Sequence, residues 1–201
     1  EGLAKVVFQA KLGSYAEKVQ RMESLACSLG ETLQGQGVEI DLEVVRQASK
    51  LCKADLVSKM VYEFPELQGV MGREYALKAD MNPQVADAIC EHYQPRGADD
   101  TVPASAAGAL ISLAERFDSL VGIFGVGERP TGSADPYALR RHALAVLSIL
   151  RDKGWPISIA ESLKVAGDLL VSSEKLESAQ EAVEETVRFV RERFYHQLVG
   201  E

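Results

Sequence analysis

An all-α fold is predicted for this chain of 201 residues by three observations. Apolar residues recur at helical spacing along most of the chain, and capping residues stand where the periodic runs begin. Nothing alternates convincingly with period two, and no 20 to 50 residue repeat or low-complexity tract interrupts the pattern.

Taken in order, Ser14 and Gly30 bracket a first helix whose core face is Tyr15, Val19, Met22, Leu25, Ala26 and Leu29. The glycines of GETLQGQGVEI predict a loop. Asp41 then caps a helix that buries Leu42, Val45, Ala48, Leu51 and Cys52. A run through Leu56, Met60 and Val61 ends near Pro65. Shorter helices follow over Leu67 to Leu77 and Pro83 to Tyr93, separated by KADMNP. QPRGADDTVPAS is a polar loop, and residues 104 to 124, apolar on almost every side, are the central helix of a bundle.

The stretch DSLVGIFGVGERPTGSADPYALRR, residues 118 to 141, is the most structured turn signal in the chain. Gly122, Gly125, Gly127 and Gly132 allow turns that a side chain would forbid, so the central helix should end here. Asp135 can accept from free amides and Pro136 suits the first helical position, so the next helix is predicted to start at Asp135. It continues through Leu139, Ala143, Val146, Leu147 and Leu150 until Gly154 and Pro156 break it. A short helix over about 158 to 171 precedes a last one carrying the stripe Leu176, Ala179, Val183, Val187, Val190 and Phe194. Its exposed side turns from acidic to basic, matching the helix dipole, and Glu184 to Arg188 has the spacing and sense of a favourable pair.

Composition narrows the function. With 46% hydrophobic and 26% charged residues the chain falls in the ordinary globular class and can bury a full core. At a formal charge of −8, nucleic acid would have to be met by a local basic patch. Cys27, Cys52 and Cys90 are odd in number and set among apolar neighbours, as expected of reduced thiols in a cytoplasmic protein. No basic segment followed by a long apolar core suggests export or a membrane. The chain opens without Met and in mid-pattern, which leads us to expect a piece of a longer protein.

Candidate chemistry is sparse. The glycine-rich stretch lacks the Gly-Lys-Ser/Thr of a Walker loop and the preceding strand of a dinucleotide fold, so a helix-to-helix turn is the expectation. His92, His142 and His196 are far apart without ligand spacing, and His92 stands near a helix end, where a cation is favourable. Arg73, Arg96, Arg129, Arg140 and Arg141 lie in or beside turns, which suits phosphate contact. Carboxylate partners such as Glu66, Glu128 or Asp135 are the competing use. Asp55 and Asp118 sit on apolar helices and must find hydrogen-bond or charge partners if buried.

Three strings, KADLVSKMVYEFPELQGVMGREYA (53 to 76), VADAICEHYQPR (85 to 96) and LAERFDSLVGIFGVGERPTGSADPYALRRHALAVL (113 to 147), resemble the beta subunit of the bacterial tetrameric glycyl-tRNA synthetase. The resemblance covers about 5 to 155. It implies an HD-domain-like helical bundle over residues 1–157, with 158–201 a helical extension leading towards the anticodon-binding domain. HD relatives hold a metal with a His-Asp pair and further His and Asp ligands. Here Cys52-Lys53-Ala54-Asp55 stands where that pair would be sought, and Asp118 looks like the final aspartate. The implied reading is a scaffold without a metal or catalytic residues, Asp55, His92 and Asp118 being vestiges. Its partners would be glycine tRNA, the alpha subunit and other domains of the beta subunit, with no cofactor of its own. ATP and Mg would be used by the complete ligase through the alpha subunit. The alternatives are a residual metal-dependent phosphohydrolase using Asp55, His92 and Asp118, or a purely structural packing module.

Overall fold

A computed structural model describes residues 2–97, 99–131 and 134–199, and over these the fold is all-α. The helices are α1 (Tyr15–Gly35), α2 (Leu42–Leu51), α3 (Lys59–Glu63), α4 (Val70–Lys78), α5 (Pro83–Glu91), α6 (Ala106–Gly125), α7 (Leu139–Lys153), α8 (Ile159–Ser172) and α9 (Gln180–Val199). Short 3-10 turns at Ala54–Val57 and Pro65–Leu67 link α2 to α3 and α3 to α4, and another at Gly2–Lys5 precedes α1. Ahead of α1, β1 (Val7–Gln9) and β2 (Gly13–Ser14) pair antiparallel. Strands this short leave no period for sequence reading to detect.

The apolar composition of α6 places it at the centre, as its sequence predicts. Leu110, Ile111, Leu113, Ala114, Phe117, Leu120, Val121 and Ile123 are all fully buried. Helices α1, α2, α5, α7, α8 and α9 surround it. Helices α8 and α9 bring Leu163, Ala166, Leu170, Ala182 and Val190 into the same hydrophobic cluster as Met22 and Leu25 of α1. Caps fix the starts: Ser14 forms a capping box with Glu17, and the Asp41 carboxylate accepts from the amides of Glu43 (3.0 Å) and Val44 (3.1 Å).

Four expectations are corrected. Helix α1 runs through Gly30 to Gly35, because the missing side chain at Gly30 is used for close approach: a Cβ there would lie 2.7 Å from Leu42 Cδ2. Gly122 and Gly125 likewise lie inside α6, against Leu12 and Leu176, and only Gly127 (φ +86°) takes a turn conformation; Gly132 lies outside the described residues. Helix α7 starts at Leu139 rather than at Asp135. The Asp135 carboxylate does accept from helix amides, those of Leu139 (2.8 Å) and Arg140 (3.0 Å), but across an intervening turn in which Ala138 is left-handed (φ 54°). Finally, Glu184 accepts from Gln180 Nε2 (3.2 Å) instead of pairing with Arg188.

One backbone feature holds the segment before α4. Gly69 has φ +83°, and a Cβ at that position would lie 2.6 Å from Tyr93 Cδ2. Both conformation and space require glycine. Gly69→Ala is expected to lower the unfolding free energy by ~1–3 kcal/mol, read by chemical denaturation. A change within about 0.3 kcal/mol would contradict the assigned backbone.

Candidate functional site

Helix α6 carries a polar stripe, Ser112, Glu115, Arg116, Asp118 and Ser119, through an otherwise apolar interior. Burying those groups is costly unless each is paired. Asp118 meets two cations one turn apart on α1: Lys18 Nζ lies 2.9 Å from Oδ2, and Arg21 Nε lies 2.6 Å from Oδ1. Lys18 also donates to Ser119 Oγ (2.8 Å) and stands 4.1 Å from the centre of the Phe8 ring. Burial alone would raise the Asp118 carboxyl, but Lys18 and Arg21 outweigh it and hold the group below the ordinary aspartate range.

One turn earlier, Glu115 Oε1 lies 2.7 Å from Lys53 Nζ. The Lys53 ammonium is buried and covers the face of Tyr93 at 3.9 Å. Burial opposes ionisation of Glu115, and the adjacent Lys53 reverses that, drawing the carboxyl well below its usual range. His92 Nε2 stands 3.6 Å from Glu115 Oε2, while Nδ1 faces the Ile89 carbonyl at 2.6 Å. Complete burial, assisted by Lys53, pushes the imidazole down to about 3. His92 is therefore neutral at neutral pH, so the favourable cation read at this helix end is corrected to a buried neutral ring. Arg116 gathers the end of the following segment: NH2 donates to the Gln94 and Pro95 carbonyls, both at 3.0 Å.

Asp55 is buried as its apolar surroundings require, and Oδ2 accepts from the amides of Gly69 (2.7 Å) and Gly72 (3.2 Å). A metal cage around Asp55, His92 and Asp118 does not fit these positions. Asp118 is satisfied by Lys18 and Arg21, Asp55 Oδ2 serves the start of α4, and the charge next to His92 is already a cation, Lys53, paired with Glu115 at 2.7 Å. Among the described residues no group of three or more His, Cys, Asp or Glu side chains could hold a metal ion.

The five arginines separate. Arg73 is held by Asp87 (Nε to Oδ1, 2.7 Å) and Glu74 (NH1 to Oε1, 2.9 Å). Arg129 reaches Glu185 on α9, with Nε 3.0 Å from Oε2. Arg96 donates to the carbonyls of Glu66 (3.2 Å) and Gln68 (2.6 Å) and lies over Tyr93. Arg140 is half-buried, its amide held by Asp135. Arg141 is exposed and lines a small cavity with Pro95, Gly97 and Asp100.

Comparison with known proteins is decisive. A family model described as "Glycyl-tRNA synthetase beta subunit" matches residues 1–201. The chain belongs to the glycyl-tRNA synthetase beta-subunit family. It is 47% identical over 194 residues to the glycine–tRNA ligase beta subunit of Geobacter metallireducens, covering 96% of this chain and 28% of that protein. It is 44% identical over 197 residues to the one from Myxococcus xanthus, with the same coverage. The Thiobacillus denitrificans protein is 48% identical over 165 residues, which is 82% of this chain and 23% of the relative. The chain thus spans about a quarter of the length of these curated relatives.

For this member of the beta-subunit family, sequence reading missed the groups that complete the buried network: Lys18, Arg21, Lys53, Glu115 and Arg116. A signal existed for Lys18. It falls three residues after Tyr15 and four before Met22, so helical geometry places its charge on the buried stripe of α1. Such a position needs a counter-charge, and only the fold shows it to be Asp118. No helix among the described residues is long and apolar enough to cross a membrane.

Proposed function

We propose that this chain is a non-catalytic, tRNA-facing scaffold segment of a glycine–tRNA ligase beta subunit, built on an HD-like helical framework. It supports glycyl-tRNA synthesis in the cytoplasm by holding tRNA and neighbouring parts of the ligase. Amino-acid activation with ATP and Mg is left to the alpha subunit. The observation that carries the scaffold reading is the occupation of the buried carboxylates by the chain's own cations: Asp118 by Lys18 and Arg21, and Glu115 by Lys53. Side chains locked in this way tie α6 to α1 and to the segment after α2 rather than meet a substrate.

The arginine environments restrict where RNA could be held. Arg73 and Arg129 are committed to carboxylates and Arg96 to carbonyls, which favours packing at those positions. Arg141 stays exposed, and the negative total charge requires the contact to be local. Binding of glycine tRNA, followed by fluorescence anisotropy over a salt series, should weaken as salt rises. Arg141→Ala should lower affinity at every salt concentration and reduce the slope of log K against log salt by about 1. Binding that is absent, or indifferent to Arg140→Ala and Arg141→Ala together, would leave the scaffold role alone.

A further inference from the structure

Two of the strings that carry the family resemblance, one ending in QPR and the other containing ALRR, are joined by a cavity of about 160 Å³ between the loop after α5 and helix α7. Pro95 and Leu144 supply apolar wall, while Asp100, Arg141, Ser148 and Gln197 supply polar groups. The volume is below the roughly 300 Å³ at which sites for drug-sized ligands begin, so the cavity suits a single ring system. Two parts of its wall are fixed in advance. Arg116 grips the Pro95 carbonyl from beneath (3.0 Å), and Asp100 accepts from the amides of Arg96 (2.7 Å) and Thr101 (2.8 Å).

We propose that this cavity receives one unpaired guanine of an RNA, with the base edge shared between Asp100 and Arg141. The inference rests on the RNA reading above and specifies which feature of the RNA is recognised. A phosphate is the poorer occupant, because Asp100 would repel it. Guanine alone among the four bases presents two adjacent N–H donors, at N1 and N2, to a carboxylate, together with the O6 and N7 acceptors that suit a guanidinium. Each Asp100 oxygen retains a second lone pair beyond its backbone contact. Recognition of splayed, unpaired bases by their edges is the usual route to sequence preference in RNA.

Labelled single-stranded RNAs UUGUU, UUAUU, UUCUU and UUUUU, titrated with the chain at low salt, test this directly. We expect UUGUU to bind at least about fivefold more tightly than the others. Arg141→Gln, and Ser148→Phe filling the cavity, should each abolish that preference; if Ser148→Phe fails to fold, Arg141→Gln decides alone. Equal affinity for all four RNAs, or a preference that survives Arg141→Gln, overturns the guanine site. If glycine tRNA still binds in an Arg141-dependent manner, that failure leaves the RNA reading standing. If no RNA of any kind binds, both readings fall.

Discussion

Asp118→Asn should cost the fold ~3–5 kcal/mol, the range for removing one partner from a buried ion pair. The reason is asymmetric. The substitution deletes a negative charge while Lys18 and Arg21 stay buried against α6, and neither can reach water without opening the contact between α1 and α6. Arg21 is already incompletely satisfied, since NH1 is buried without a partner. Replacing all three residues by apolar ones, Lys18→Met, Arg21→Met and Asp118→Leu, should recover most of the loss, because no uncompensated charge then remains. Urea unfolding of the single and triple variants provides the measurement. An Asp118→Asn protein within about 1 kcal/mol of the parent would show that these charges are not desolvated as the structure places them.

Mild acid should destabilise the chain well before ordinary carboxylates titrate. His92 has a folded value of about 3 against 6.5 for the free side chain, so the unfolded chain takes up a proton below 6.5 that the folded chain refuses. Stability is therefore full above about pH 6.5 and declines as pH falls towards 3. Between about pH 7 and about pH 5 the His92 contribution alone amounts to about 2 kcal/mol. His142, half-buried on α7, is lowered in the same direction by burial and steepens the decline. Below about pH 4.5 the depressed Glu115 and Asp118 carboxyls act with the same sign, since protonating them dissolves their pairs with Lys53 and with Lys18 and Arg21. Unfolding free energies measured from pH 7 to 5 should slope downward in the parent, less steeply in His92→Gln, and stay nearly flat in a His92→Gln, His142→Gln double variant. A flat parental profile over that interval would contradict a buried neutral His92.

Local rules account for the parts of the fold that were legible. Asp41 caps α2 and Ser14 caps α1 because a capping oxygen needs only the amides two or three residues ahead. The burial of α6 follows from having apolar residues on almost every side. The misplaced boundaries involve competition with distant residues. Gly30 reads as a stop until Leu42 is seen to need its vacant side-chain space, and Asp135 reads as the helix start until a further turn ending at Ala138 is inserted.

The amino-acid sequence by itself determined the helical class, the central helix and, through long ordered strings, the family, because these depend on spacing along the chain. It also established that Asp55 and Asp118 would need partners, without identifying them. Tertiary structure alone decided those partners, made His92 a buried neutral ring rather than a cation at a helix end, and tied Arg73 and Arg129 to carboxylates while leaving Arg141 at a cavity. The physical reason is that charge pairing and desolvation depend on distances between residues far apart in the chain: Lys18 and Asp118 are 100 positions apart in sequence and 2.9 Å apart in space.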